Sequence, residues 1–493
     1  MAIKLIKKIY NLLFFSDYKI ISGFYLSLIL SFIFIGCTPF HPRDRADLAD
    51  DLPNEFSIYN STPETYQPWW EDINDPILSV NINEALSNNF TIHAAWARLA
   101  QAKALAKKTG AKLLPSLTGL GEAGISRRDQ GLQGDPANVR NYGFGLTASY
   151  ELDLWGALSS EQEAALYSLR ASQEDLNAAA ITVSAEIASN WVKLVATRLE
   201  RKLVIDQIYT NNKYLELIQL RFRQSMASAL EIYQQRQVLE ETMAILPILE
   251  QEEKLLSHNL DILSGKAPGH KIIILSETLP NLPPIPSVGL PADLLVNRPD
   301  IRAAGMRLKA ADWQLAVAKA NRLPIMNLSA AVMFDSDSLN LFFDRWILNL
   351  ASHLTAPIFD GGALAAEVER TDAVTSELLS IYRQTVITAV KEVEDALIQE
   401  SAQLTYINKL KLVFETAKKA LKEAEIRYRY GLNDYLNVLN QLYKVQDLER
   451  DLLTCQANVI LARINLYRAL GGRGIKEIIF AENKNMTDME GSK

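Results

Sequence analysis

The chain has 493 residues, with 51 Lys and Arg against 58 Asp and Glu, a formal net charge of −7 and 48% hydrophobic residues. An acidic balance argues against a nucleic-acid binder, whose contact surface is ordinarily basic. Cys37 and Cys455 are the only cysteines, which leaves no disulfide framework, and the five histidines show no spacing suited to a zinc site.

The N-terminus carries Lys4, Lys7, Lys8 and Lys19, then an apolar run from Ile20 to Ile35 that ends at Gly36-Cys37. A basic segment followed by a short oily one reads as a secretory signal, here residues 1–36, absent from the mature protein. The small residue before Cys37 resembles the lipobox of bacterial lipoproteins, with Phe34 where Leu is usual, and it makes Cys37 the lipidated residue. An uncleaved anchor is the alternative. Thr38 follows the cysteine in place of an Asp of the kind that retains lipoproteins at the inner membrane, so the outer membrane is favoured. Residues 37–75 form the lipidated N-terminal extension. The helical context of Cys455 reads as a small buried apolar site.

From residue 76 the chain runs through one order of elements twice. The first pass, 76–265, predicts a helix over 76–110, strands over 113–126 and 141–154, a very long helix over 156–222 and another over 229–264. A Pro-rich linker, 266–289, follows; Pro280, Pro283, Pro284 and Pro286 deny it helix throughout. The second pass, 290–472, predicts a helix over 290–321, strands over 324–334 and 346–359, and helices over 363–430 and 435–470. A tail, 473–493, ends the chain. Pro247 should kink its helix. Val386, Val390, Val393, Leu397, Leu404 and Ile407 form a heptad seam, interrupted by Glu400.

Residues 141–154 alternate without an error. Tyr142, Phe144, Leu146, Ala148, Tyr150, Leu152 and Leu154 share one side, and Asn141, Gly143, Gly145, Thr147, Ser149, Glu151 and Asp153 the other. Such a strand suits either a soluble sheet or a membrane barrel. In a barrel Tyr142, Phe144, Leu146, Leu348 and Leu350 face lipid, while Asn141, Thr147, Asn349 and His353 face the lumen. Four strands cannot close a membrane barrel, because open edges leave backbone groups unpaired in lipid and the smallest bacterial barrels need eight strands. Two, three or four copies would supply eight, twelve or sixteen.

Several short runs then carry a resemblance. These are Tyr150-Glu151-Leu152-Asp153-Leu154-Trp155-Gly156, Asn297-Arg298-Pro299-Asp300-Ile301-Arg302-Ala303-Ala304, Pro357-Ile358-Phe359-Asp360-Gly361-Gly362, Arg427-Tyr428 with Gly431 and Tyr435-Leu436, and Leu470-Gly471-Gly472. In that order they are similar to the TolC family of outer-membrane efflux proteins, in its lipoprotein branch. The resemblance implies a mostly α fold with membrane β: a homotrimeric twelve-stranded β-barrel, four strands per chain, continued by a long periplasmic α-helical barrel, with an internal two-fold repeat. It also implies a passive duct in the outer membrane, extending into the periplasm, with a periplasmic adaptor, an inner-membrane pump and outer-membrane lipid as partners and no cofactor. The family's periplasmic gate falls just past the helix turns, here at Glu231, Tyr428, Asp434, Asn437 and Asn440. Relatives carry acids at that constriction; this chain keeps Glu231 but has neutral Asn437 and Asn440, and Ser225 replaces the glycine expected before the first turn.

A structural or adhesive lipoprotein with a helical stalk competes with the duct. An enzyme does not, since no Ser/His/Asp or paired-carboxylate arrangement stands out; Glu392 and Asp395 read as a solvated helix face.

Overall fold

A computed structural model describes residues 40–41, 52–57, 68–128, 137–269, 278–286, 288–338 and 342–473. The signal segment, Cys37, part of the linker and the tail beyond Arg473 lie outside the described residues. After a short 3-10 turn at Trp69–Ile73 come helices α1 (Pro76–Asn88) and α2 (Phe90–Ala111), strands β1 (Ser116–Arg128) and β2 (Ala137–Leu152), and helices α3 (Ala157–Arg223) and α4 (Ala229–Leu263). A 3-10 turn at Pro291–Asp293 leads to α5 (Leu294–Asn297) and α6 (Pro299–Ala320), then strands β3 (Ile325–Ser336) and β4 (Trp346–Thr355) and helices α7 (Ala363–Arg429) and α8 (Tyr435–Ala469). Helices α3 and α7 each have 67 residues, and α4 and α8 each have 35. The chain divides into two compact units. One holds Ala102–Leu169 and Arg307–Leu379; the other holds Ala46–Gln101, Arg170–Met306 and Ser380–Lys493.

The two helices expected to be continuous before each strand pair are broken. Asn89 takes an extended backbone and ends α1. Its Oδ1 then accepts the N–H groups of Thr91 (2.8 Å) and Ile92 (3.3 Å), capping α2. In the second half Arg298 is extended because Pro299 follows it, and residues before proline avoid the helical region. Each break is pressed by a left-handed glycine two residues past a 35-residue helix. A Cβ at Gly265 would meet the Asn88 carbonyl oxygen at 2.4 Å, and one at Gly471 the Asn297 oxygen at 2.9 Å. No larger residue fits either place.

The strands are shifted slightly from expectation: β1 begins at Ser116, β2 ends at Leu152 and β4 at Thr355, so Leu154 and Phe359 lie in the turns that follow. Those turns use similar capping chemistry. Asp153 accepts the N–H groups of Leu158 and Ser159, at 2.9 and 2.8 Å, and Asp360 those of Gly362 and Leu364, also at 2.9 and 2.8 Å. The backbone bonds from Leu364 and Gly362 hold the Asp360 carboxyl below its usual pKa. Gly156, Gly361 and Gly362 supply the positive φ values of 75°, 66° and 89° that a strand-to-helix reversal requires.

The core of the second unit is apolar and helical, with Trp70, Ile73, Leu78, Ile82, Trp191 and Ile464 among its fully buried residues. The heptad seam is buried at Val386, Val393, Leu397 and Ile407, but Leu404 is 38% exposed. Glu400 does not break that seam toward solvent. It is 1% exposed and accepts three bonds from Arg463, at 3.0, 3.0 and 2.5 Å, while Arg463 Nη1 reaches the Pro283 and Pro284 carbonyls at 2.9 and 3.0 Å. One buried ion pair therefore ties the linker to α7 and α8. Glu392 is likewise no free surface acid: it accepts from Arg298 at 2.8 Å, and Arg298 also bonds Asp300 at 2.6 Å and the Ala469 carbonyl at 2.9 Å. Asp395 pairs with Lys391 on the same helix. Helix α4 runs through Pro247 without ending there.

Removing one partner of a buried pair strands the other charge, at about 3–5 kcal/mol. Glu400→Ala should lower unfolding stability by that order in denaturant titrations followed by helical circular dichroism. Lys391→Ala, which touches only an exposed pair, should change it by less than about 1 kcal/mol.

Candidate channel wall and helix-tip site

The four strands form one antiparallel sheet in the order β1-β2-β3-β4. Register decides which side chains share a face. Leu146 stands opposite Gly119 and Val332, and Val332 opposite Leu348; Ala148 stands opposite Leu117 and Ala330, and Ala330 opposite Leu350; Phe144 faces Phe334, which faces Trp346. Tyr142, Phe144, Leu146, Leu348 and Leu350 therefore lie on one face. That face carries apolar side chains on all four strands, and several of its large residues are exposed, Leu350 at 75% and Leu117 at 71%. Phe334, Phe343, Phe144 and Trp346 gather aromatic side chains at the hairpin end, with the Phe334 and Phe343 rings 5.4 Å apart.

The opposite face carries Asn141, Thr147, Asn349 and His353, in rows with Thr118, Ser149, Ser329 and Asn327. It is not polar throughout. Leu120, Gly145, Met333 and Ile347 align in one apolar row, and Met333 fills the space above Gly145, where a Cβ would meet its Cγ at 3.3 Å. Only pairing register reveals this row, because each strand contributes a single residue to it.

In the second unit the ends of α3 and α7 and the starts of α4 and α8 assemble the second site. Arg223 and Arg429 end the two long helices, and the residues two places on, Ser225 and Gly431, both have positive φ, 58° and 71°. Each turn closes with the same long-range bond, Met226 N–H to the Arg221 oxygen at 2.8 Å and Leu432 N–H to the Arg427 oxygen at 2.9 Å, a glycine-type helix stop. Ser225 pays the steric cost that Gly431 avoids.

The predicted tip residues separate into two groups. Tyr428 donates to Glu231 Oε2 at 2.8 Å, joining the two helix pairs. Arg221 lies 4.5 Å from the Tyr428 ring centroid, and the Tyr435 ring lies beside it at 5.3 Å, tilted by 56°. Burial, then the Glu231 hydrogen bond, push the Tyr428 phenol up to about 12, so it is a donor at neutral pH. Asp434, Asn437 and Asn440 are exposed, and Asp434 occupies the α8 N-cap position without a side-chain capping bond.

Beneath Tyr428 runs a buried polar ladder absent from the sequence reading. Tyr435 donates to Gln235 at 2.5 Å, and Gln235 to the Asn211 carbonyl at 2.9 Å. Asn211 and Gln446 exchange side-chain bonds of 3.2 and 2.9 Å, and Gln207 bonds the Gln446 carbonyl at 2.9 Å. Tyr214 bonds Glu425 alongside. Polar residues at seam spacing were the available signal.

A two-faced antiparallel sheet of four strands with 67-residue helices is the architecture of outer-membrane channels. The fold matches the outer membrane protein VceC from Vibrio cholerae, at 27% identity and TM-score 0.77 over 83% of this chain and 100% of that one. It also matches the outer-membrane channel OprN, at 25% identity and TM-score 0.79 over 89% and 98%. The chain belongs to the outer membrane efflux protein family, whose model matches residues 81–265 and 290–472. It is similar to the pyoverdine export outer membrane protein OpmQ of Pseudomonas aeruginosa, 31% identical over 91% of this chain and 96% of that protein. It is also similar to the probable outer membrane lipoprotein SilC of Salmonella typhimurium, 26% identical over 91% and 98%. The family is one of outer-membrane efflux channels, not of enzymes.

Ser225→Gly should relieve the left-handed strain and raise stability by about 0.5–1 kcal/mol, read as a higher melting temperature in detergent.

Proposed function

We propose that this protein is the passive outer-membrane duct of a tripartite efflux system. Three copies pool their strands into a closed twelve-stranded barrel, and their long helices continue it as a periplasmic α-helical barrel. An inner-membrane pump supplies the energy and a periplasmic adaptor joins the two. The observation that carries this reading is the sheet: one face carries apolar side chains on every strand, and among the described residues β1 and β4 each pair on one side only. In lipid such edges must find partners, and other copies of the chain offer them. The equal lengths of α3 and α7, and of α4 and α8, support a duplicated plan for 76–265 and 290–472. The cargo of the relative OpmQ, pyoverdine, supports a small-molecule substrate chosen by the pump.

The barrel is tested by opposite-face substitutions. An arginine at the lipid midplane costs about 2–4 kcal/mol, while a lumen position tolerates it. Leu146→Arg should sharply reduce the heat-modifiable oligomer, and Thr147→Arg should leave it near wild type; equal yields would refute the assignment. The gate reading places Glu231, Tyr428, Asp434, Asn437 and Asn440 around the periplasmic constriction, with the Tyr428–Glu231 bond latching the two helix pairs. Tyr428→Phe should then raise open probability in planar bilayers without loss of assembly. Lipidation at Cys37 predicts that Cys37→Ala abolishes labelling by a palmitate analogue, since several acyl chains give the stable attachment that one does not.

A further inference from the structure

On the apolar face of the sheet, beyond the aromatic row, two arginines occupy neighbouring strands. Arg127 stands opposite Asn138, and Arg140 opposite Ile125, so the two are diagonal neighbours on the face that carries Leu117 and Ile125. Side chains in that relation have anchor points about 7–8 Å apart, close enough for both guanidinium groups to reach one anion. Both residues are exposed. Among the described residues neither has a carboxylate partner.

Depth along the strand separates them from the apolar band. Arg140 lies between four and five positions from the midpoint of β2, which falls between Phe144 and Gly145, and Arg127, opposite Asn138, lies between six and seven. At about 3.3 Å per residue and a tilt of about 40°, that is roughly 11 Å and roughly 16 Å along the membrane normal, at the edge of an apolar band about 25 Å tall and beyond it. The order outward is therefore aliphatic, aromatic, cationic, which matches hydrocarbon, interface and phosphate. Arginine is suited to the last layer because its planar fork binds phosphate oxygens in pairs. With no carboxylate between them among the described residues, the two guanidinium groups repel each other, and a phosphate between them relieves that repulsion.

We infer that Arg127 and Arg140 form a binding site for the phosphomonoester headgroup of a glycolipid in the outer leaflet, fixing the depth of the barrel at its hairpin end. This rests on the barrel reading above. The long helices follow the strands at the opposite end of each hairpin, so the hairpin ends face the cell exterior.

The test uses the full-length protein in detergent and in vesicles. Native mass spectrometry should show retention of bisphosphorylated lipid A, at least fivefold weaker retention of its dephosphorylated form, and no competition by millimolar inorganic phosphate. The double variant Arg127→Gln/Arg140→Gln should lose at least fivefold in lipid A binding while keeping its heat-modifiable assembly. Arg127→Lys/Arg140→Lys, which keeps both charges, should retain part of it. Equal retention by wild type and the Gln variant, equal retention of the two lipid forms, or displacement by free phosphate would overturn the site. Flotation with phospholipid vesicles reports insertion separately: a protein that inserts but does not discriminate lipid A loses the site and keeps the barrel. Failure to insert removes both.

Discussion

A four-stranded sheet has two edges, and each edge presents a row of backbone N–H and C=O groups without partners. In water those groups would be solvated; in a bilayer they have nothing to bond. The apolar face of this sheet, with Leu350, Leu117 and Ile125 largely exposed, makes the same demand from the side chains. Edge pairing and face burial are met together if copies of the chain join β1 to β4.

The turns carry that order from sheet to helix. A strand has period two and a helix period 3.6, so the backbone must reverse its sense within a few residues. Aspartate and glycine do this together: Asp153 and Asp360 satisfy the first helix N–H groups, and Gly156, Gly361 and Gly362 take the left-handed angles. The far ends of the same helices use the opposite device, a left-handed residue that stops the helix. One half gives that place to Gly431 and the other to Ser225, so the two halves share backbone geometry while differing in its energetic cost.

The helix packing mixes apolar seams with buried polar locks. Glu400–Arg463 pins the linker, Arg298 bridges Asp300 and Glu392, and the Asn211–Gln446 exchange joins α3 to α8. The buried Glu400–Arg463 pair and the Asn211–Gln446 exchange contribute little net stability compared with apolar residues of the same volume, but they tolerate few alternative registers. For helices of 67 residues, sliding by a turn would leave much of the apolar seam intact. The locks penalise that slip.

Local pattern was enough to read most of this from the chain. Strict alternation marked the strands, long uninterrupted helix-forming runs marked α3 and α7, and repeated turn residues marked both helix tips, because each of these is fixed by near neighbours. The helix breaks differ in legibility: Pro299 announces the one at Arg298, whereas the one at Asn89 has no proline, and the close approach of Gly265 and Gly471 to the carbonyls before these breaks joins segments distant in the chain. Tyr428 and Glu231 could be listed together as tip residues, yet only packing gave them to one hydrogen bond and left Asn437 and Asn440 exposed. The role of Glu400 was hidden because its partner lies 63 residues away on another helix. The sequence by itself determined elements, turns and the two-faced character of the strands, all properties of period and local backbone. Tertiary structure decided register, and with it the apolar row of Leu120, Met333 and Ile347 and the pairing of buried charges, because those depend on which distant residues become neighbours.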